Sequence, residues 1–215
     1  MRRSPPRISI AALAALVVGL APATRADAQL DVALGRPVTL VGTFGVLRPG
    51  SEWAPAPAPA AGATVVDGVF RPEATTWTDG TVWWDATVQG STSNAIVIDL
   101  GSTRTITGLT LQADDNDQYG VAYRVGAAGP WTFIGSFGTA GSFGMVTRGP
   151  FAVTPFDASQ IQLTGIGGDG YYAISEFQAT VTTPEPASIA LMGTGLVGIG
   201  LLGRRRRAHG ASARR

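Results

Sequence analysis

Short runs of β-branched and aromatic residues recur between Gln29 and Thr183. Gly or Asp interrupts these runs about every 8 to 12 residues, a spacing typical of all-β domains. Residues 105–112 and 160–164 alternate polar and apolar side chains, as half-buried antiparallel strands do. The pattern shows no sustained helical period.

The alternation predicts eight strands. Their ranges are 38–41, 95–99, 105–113, 119–125, 131–137, 145–153, 160–164 and 173–181. About eight strands in a domain of this length indicate a β-sandwich or jelly roll. The Pro-Ala segment 53–63 is interpreted as a surface loop after the first strand, because too few residues precede it to bury a core of their own.

The first 28 residues have the pattern of a secretory signal peptide. Three arginines precede an apolar stretch at 8–21, and Ala26 and Ala28 form an A-x-A cleavage site before Gln29. A retained membrane anchor is the alternative, although the apolar run is short for a bilayer span.

The C-terminal region has three parts in order. The sequence Pro184-Glu185-Pro186 precedes an uncharged stretch of 17 residues at 187–203, which as a helix is about 26 Å long. A basic cluster follows, made of Arg204, Arg205, Arg206 and Arg207. One interpretation is a single-span anchor whose arginines stay on the cytoplasmic side of the inner membrane.

These three parts, over residues 183–207, resemble the PEP-CTERM sorting signal of Gram-negative bacteria. The resemblance implies that an exosortase-like membrane protease or transpeptidase recognises Pro184, Glu185 and Pro186, and that the helix anchors the chain transiently. It also implies a place on the cell surface or in an extracellular polysaccharide matrix. Residues 208–215 are then a basic cytoplasmic tail.

Charge is distributed very unevenly. The 16 basic residues are all arginine, and ten of them lie in the two terminal regions. Between residues 30 and 183, six arginines stand against 13 acidic residues, which gives this part a net charge of −7. Such a domain repels phosphate groups, so nucleic acid is not expected as a partner.

The composition excludes several kinds of enzyme. The chain has no Cys, no Lys and a single His in its basic tail, His209. Thiolate and Schiff-base catalysis therefore have no residues to use, and histidine-dependent catalysis would have to use His209, far from the rest of the candidate residues. Carboxylate chemistry remains, but a binding protein without enzymatic activity is the favoured class.

Several segments in order resemble the discoidin, or factor 5/8 type C, family of galactose-binding-like jelly rolls. They are residues 31–40, 66–68 with Trp77, 96–101 and 161–177. The resemblance implies one jelly-roll domain over residues 29–182. It also implies a structural Ca²⁺ with carboxylates from Asp67 and Glu176, and carbonyls around Phe70, Thr78 and Ala173. Alternatively, Asp67 caps a turn and Glu176 is a solvated strand residue.

Two kinds of residue are candidates for a carbohydrate site. Asp114, Asn116 and Asp117 form the densest polar cluster and can bond sugar hydroxyls, or they can be an acidic hairpin turn. Aromatic pairs offer faces for stacking on a pyranose ring, or they can pack in the core. These pairs are Trp83 with Trp84 and Tyr171 with Tyr172.

Three functions therefore compete. The first is an exported, non-enzymatic surface or matrix protein whose jelly roll binds polysaccharide. The second is a structural matrix protein without a defined ligand. The third is a glycoside hydrolase, which needs paired carboxylates about 5–10 Å apart on opposite sides of a bond, and the cluster at residues 114–117 does not suggest such a pair.

Overall fold

The computed structural model describes residues 28–183, apart from positions 89, 91, 92 and 142. The predicted signal peptide with Ala26, the sorting residues Pro184, Glu185 and Pro186, and the cluster 204–207 lie outside the described residues. Residues Gln29–Thr183 form one compact unit. Within the described part, no helix has the length and apolar character needed to cross a membrane.

The described residues form eight strands and one short 3-10 helix at Gly62–Val66. The strands are β1 (Ala28–Asp31), β2 (Val38–Val41), β3 (Val82–Asp85), β4 (Ala95–Asp114), β5 (Gln118–Arg124), β6 (Thr132–Phe137), β7 (Met145–Gly167) and β8 (Tyr171–Thr183). The prediction of an all-β sandwich is confirmed.

Two long strands belong to both layers of the sandwich. Strands β4 and β7 pair antiparallel, from Ile96 opposite Leu163 to Asp114 opposite Met145. The first part of β4 also pairs with β2, whereas its second part pairs with β8. The second part of β7 pairs with β5, which pairs with β6. One layer is thus completed by β2, β5 and β6, and the other by β8 with β1 and β3.

The main core lies between these layers. Its central side chains come from both sides, for example Ile96 and Ile161 from one and Trp84 and Phe177 from the other, all of them almost fully buried. A smaller cluster contains Trp77, Trp83, Met145 and Ala173. The loop between β2 and the 3-10 helix packs over this second cluster through Leu47, Trp53 and Ala56, so the Pro-Ala segment covers apolar surface.

The predicted strands differ from the observed ones in extent. The pairs 95–99 with 105–113 and 145–153 with 160–164 are each parts of one continuous strand. Register shifts, as between Asp99 and Arg104, let a strand bend where the sequence suggests a turn. Strand β3 was not predicted because all four of its residues are buried, so it shows no alternation.

A buried tyrosine hydroxyl connects the two layers. Tyr119 of β5 is fully buried, and its hydroxyl lies 3.0 Å from both the backbone nitrogen and the carbonyl oxygen of Ala173 in β8. The hydroxyl accepts from the N–H and donates to the carbonyl. One side chain therefore provides hydrogen-bond partners for two buried backbone groups that would otherwise lack them.

Replacing this hydroxyl is expected to destabilise the sandwich. Tyr119→Phe leaves the Ala173 N–H and carbonyl without this partner, so the free energy of unfolding falls by about 1–3 kcal/mol. Urea unfolding followed by tryptophan fluorescence measures the change. Tyr123→Phe is the control, because Tyr123 is half-buried and packs through its ring on Phe156 at 4.6 Å. An equal loss in both variants would contradict a special role for Tyr119.

Candidate functional site

Five polar or partly exposed side chains meet where three loops end, and we call them the loop-end patch. Arg48 and Ser51 come from the loop after β2, Asn116 from the β4–β5 turn, and Asp169 and Tyr171 from the β7–β8 turn and the start of β8. The turns lie together because β5 begins opposite the end of β7, with Gln118 facing Gly167. Asn116 and Asp169 are exposed, and the other three are half-buried.

A buried carboxylate holds the arginine of the patch in place. Asp85 is fully buried at the end of β3, and its Oδ2 accepts from Arg48 Nε at 2.7 Å and from the Arg48 backbone N–H at 2.8 Å. Its Oδ1 accepts from the N–H and hydroxyl of Thr87. Burial raises the pKa of Asp85, but the bonds from Arg48 and Thr87 outweigh it, so the net shift is downward. The ion pair therefore holds the Arg48 side chain in one position.

The tyrosine of the patch is enclosed by its neighbours. The Arg48 guanidinium carbon lies 4.0 Å from the centre of the Tyr171 ring, and Trp77 packs against the same ring at 5.4 Å between centroids. The Tyr171 hydroxyl is 3.1 Å from Ser51 Oγ. Because Arg48 covers one face of the ring, Tyr171 presents its hydroxyl rather than an open surface for stacking.

The remaining members of the patch form a small hydrogen-bonded pair. Asn116 Nδ2 donates to Asp169 Oδ2 at 3.0 Å. Asp169 Oδ1 accepts the Tyr171 backbone N–H at 2.9 Å, as in an Asx turn. The patch therefore joins a guanidinium, a carboxylate, an amide and two hydroxyls, groups that bond well to the hydroxyls of a sugar.

Two predicted ligand residues lie below this surface instead. Asp114 is 4% exposed and Asp117 is 0% exposed. Burial, together with the charges of neighbouring carboxylates, raises the pKa of Asp114 to about 7 and that of Asp117 to about 8. Their side chains turn inward from the hairpin, toward Arg148 and Tyr119, so direct contact with a ligand would need the hairpin to open.

The aromatic pairs are also mostly internal. Trp83 and Trp84 are each 1% exposed and Tyr172 is 6% exposed. Alternation on β3 sends Trp84 into the main core and Trp83 into the second cluster, and the loop after β2 covers the latter. The predicted stacking of these three rings on a sugar would therefore need them to become exposed. Of the aromatic candidates, only Tyr171 belongs to the patch.

The residues predicted to bind Ca²⁺ lie close together at another place in the sandwich. Glu176 is fully buried, and both of its carboxylate oxygens lie 3.2 Å from the Gly68 nitrogen, the residue after Asp67. Burial raises the pKa of Glu176 to about 8, and the charges of Asp67 and Asp31 add to the shift. The buried Asp31 Oδ2 lacks a hydrogen-bond partner among the described residues.

This donor set suits a calcium ion only if backbone oxygens take part. Among the described residues, no group of three or more His, Cys, Asp or Glu side chains is arranged to hold a metal ion, whereas Ca²⁺ takes six to eight oxygens. Carboxylates from Asp67 and Glu176 with carbonyls and water fit that need. The Ala173 carbonyl, however, accepts from the Tyr119 hydroxyl inside the core.

A groove that the sequence does not predict lies between β6 and the first part of β7. Part of it has a volume of about 280 Å³ and is lined by Ser136, Phe137, Gly138, Thr139, Arg148 and Phe151. An apolar continuation includes Leu109, Val121 and Val153. The groove is flanked by strand edges and contains only one charged residue.

Sequence reasoning also missed three members of the patch, Arg48, Ser51 and Asp169. The glycine-rich turn 167–170 was a signal for Asp169, because such turns place polar residues at strand ends. Arg48 and Ser51 had no comparable signal. Their position depends on how the loop after β2 folds over the second cluster.

The comparison with known families identifies the C-terminal region. The model of the PEP-CTERM protein-sorting motif matches residues 182–207. This match confirms the resemblance seen in Pro184, Glu185, Pro186 and the arginine cluster. No curated protein matches the chain.

Solved structures are similar to the chain over about seven-tenths of its length. The family 32 CBM of NanJ from C. perfringens, in complex with galactose, has 14% identity, a TM-score of 0.48 and coverage of 72% of this chain and 100% of that one. A chitosan-binding module from a Paenibacillus sp. IK-5 chitosanase/glucanase has 18% identity, a TM-score of 0.46 and coverage of 72% and 100%. SpGH29 has 17% identity and a TM-score of 0.45, and the similar region is 72% of this chain but only 28% of SpGH29.

Proposed function

We propose that this chain is an exported, non-enzymatic protein of the cell surface or extracellular matrix of a Gram-negative bacterium. Its sandwich binds polysaccharide through the loop-end patch. Its C-terminal region is recognised by an exosortase-like protease or transpeptidase after a transient stay in the inner membrane.

The sorting part of the proposal is supported by the two chain ends. The PEP-CTERM model matches residues 182–207, and the N-terminal 28 residues have the three regions of a signal peptide. The compact unit begins at Gln29, the residue after the predicted cleavage site, and ends at Thr183, just before Pro184. Both processing points thus lie at the boundaries of the folded unit.

The proposed binding of polysaccharide depends chiefly on Arg48, whose side chain is held in position before a ligand arrives. This guanidinium is fixed by the buried Asp85 and lies beside the exposed Asn116–Asp169 pair. Groups held in position before binding lose little freedom when a ligand arrives. An arginine, an amide and a carboxylate in fixed positions can bond several hydroxyls of one sugar unit at once.

The arrangement of acidic groups argues against hydrolysis. The two aspartates with strongly raised pKa values, Asp114 and Asp117, are buried in one hairpin. A glycoside hydrolase needs its two carboxyl groups on opposite sides of an accessible bond. Binding without catalysis is thus the better supported function.

Binding is expected to depend on Asn116 and Arg48 of the loop-end patch. Asn116→Ala and Arg48→Lys should each weaken binding about tenfold or more, equivalent to about 1.4 kcal/mol. The first variant removes an amide, and the second keeps the charge but loses the planar fork that Asp85 orients. Surface plasmon resonance on extracellular polysaccharide purified from the producing cells measures this, with the full chain in a detergent without sugar groups.

Arg104→Lys is the matched control, because Arg104 is exposed at the bend of β4 and should bind like the unmodified chain. Equal binding by all three variants would place the ligand elsewhere. If the unmodified chain bound no polysaccharide at all, a structural matrix role without ligand would replace the proposal.

We also propose that Asp67 and Glu176 help to hold a structural Ca²⁺. The ion would neutralise the buried carboxylate of Glu176, which also feels the charges of Asp67 and Asp31. Bound there, it would tie the turn at Gly68 to β8 and stabilise the sandwich, and it would have no part in a reaction.

Calcium is therefore expected to raise the melting temperature of the chelator-treated full chain. At a concentration 100 times the Kd, a ligand specific for the folded state adds about 2.7 kcal/mol, or about 5–10 °C for a domain of this size. Glu176→Gln should abolish the increase, whereas Glu52→Gln, a change at an exposed residue, should retain it. No increase in the unmodified chain would disprove the site.

A further inference from the structure

The side chain of Asp117 is enclosed between two turns. Asp117 closes the β4–β5 turn and is 0% exposed. Its carboxyl lies directly against the backbone of Gly168, where a β-carbon would overlap it. Neither carboxyl oxygen reaches hydrogen-bond geometry with a described group, although the Asp169 N–H is near enough to lower the pKa. The ionised form of a buried carboxyl group with so few hydrogen bonds is unfavourable.

Charged and titratable groups face Asp117 from each element around it. They are Asp114 of β4, Tyr119 of β5, Arg148 of β7, Asp169 of the β7–β8 turn and Tyr172 of β8, while Asp115 of the turn acts on Asp114 and Arg148. Carboxyl groups thus outnumber the single guanidinium.

Arg148 does not fully neutralise this cluster. Its Nη2 donates to the backbone carbonyl of Asp114 rather than to a carboxylate. Its Nε and Nη1 are buried and have no hydrogen-bond partner among the described residues. One positive charge is therefore shared by several acidic groups, and adding a further negative charge at Asp117 is costly.

We propose that Asp117 is a proton-controlled latch between the β4–β5 and β7–β8 turns. Protonated, its carboxyl is neutral and packs against Gly168, which keeps the two turns together. Ionised, it repels Asp114 and Asp169, and the turns separate. The Asn116–Asp169 pair then breaks, so the shape of the loop-end patch changes with pH.

The direction of the pH effect follows from the proton balance. Burial raises the pKa of Asp117 from 3.8 to about 8, and the charges of Asp169 and Asp114 contribute to the same shift. The folded chain therefore holds a proton that the unfolded chain has lost between about pH 4 and pH 8. Stability should fall as the pH rises through that window.

The test uses the full chain in detergent and compares three proteins. Asp117→Asn imitates the protonated carboxyl, and Asp79→Asn removes an exposed carboxylate as a control. Between pH 5 and pH 9, we expect the melting temperature of the unmodified chain to fall by about 5 °C or more. The Asp79→Asn chain should behave in the same way, and the Asp117→Asn chain should lose about a third less, because Asp114 and Glu176 also have raised pKa values and keep the rest of the pH dependence. Equal losses in all three would overturn the latch.

Two further measurements do not depend on Asp117→Asn folding well. Carbon-13 NMR of the Asp117 carboxyl in the unmodified chain should give a titration midpoint near 8, and a midpoint below about 5 would overturn the proposal. A shift of this signal on adding Ca²⁺ at pH 7 would also overturn it, since the cluster would then be a cation site.

Amide hydrogen exchange measures how often the β4–β5 and β7–β8 turns separate. At pH 9, the amides of Asn116 and Asp169 should exchange about tenfold faster in the unmodified chain than in Asp117→Asn, a difference in opening equilibrium of about 1.4 kcal/mol. If the Asn variant does not fold, the same amides are compared in the unmodified chain at pH 6 and pH 9 after correction for intrinsic rates. Equal protection would show that the proton does not hold the turns together.

Discussion

The antiparallel pairing of β4 and β7 is the contact on which the rest of the structure depends. Because both strands pass from one layer to the other, their ladder closes the sandwich and fixes where the other strands can pair. It also places the start of β5 beside the end of β7, with Gln118 opposite Gly167. The β4–β5 and β7–β8 turns meet for that reason, and the loop-end patch is assembled at their junction.

Much of the fold could be predicted from local patterns. The alternation in residues 105–112 identified part of β4, and Val38–Val41 was predicted with its observed bounds. The continuity of β4 and β7 could not be predicted, because Gly101 and the Gly149-Pro150 sequence normally indicate turns. In this protein such residues lie at bends of long strands. Full burial of β3 removed the alternation that marks a strand.

The candidate site was only partly predictable. Asn116 was identified as part of the densest polar cluster, and Tyr171 as one of two adjacent aromatics after a glycine-rich turn. Sequence alone could not show that Asp114 and Asp117 turn inward, since that depends on the space left by Gly168 and on Arg148 of a distant strand. Arg48 also acquires its role only through a tertiary contact, its ion pair with the buried Asp85.

The central claim is that a folded binding domain is exported and then sorted by processing at both of its boundaries. The intact mass of the protein, recovered separately from the envelope and the medium of the producing cells, tests this most directly. We predict a species that begins at Gln29 and ends near residues 184–186, with or without an added group. A mature species that retains residues 204–215 would contradict the account, because the chain would then be a permanently anchored membrane protein.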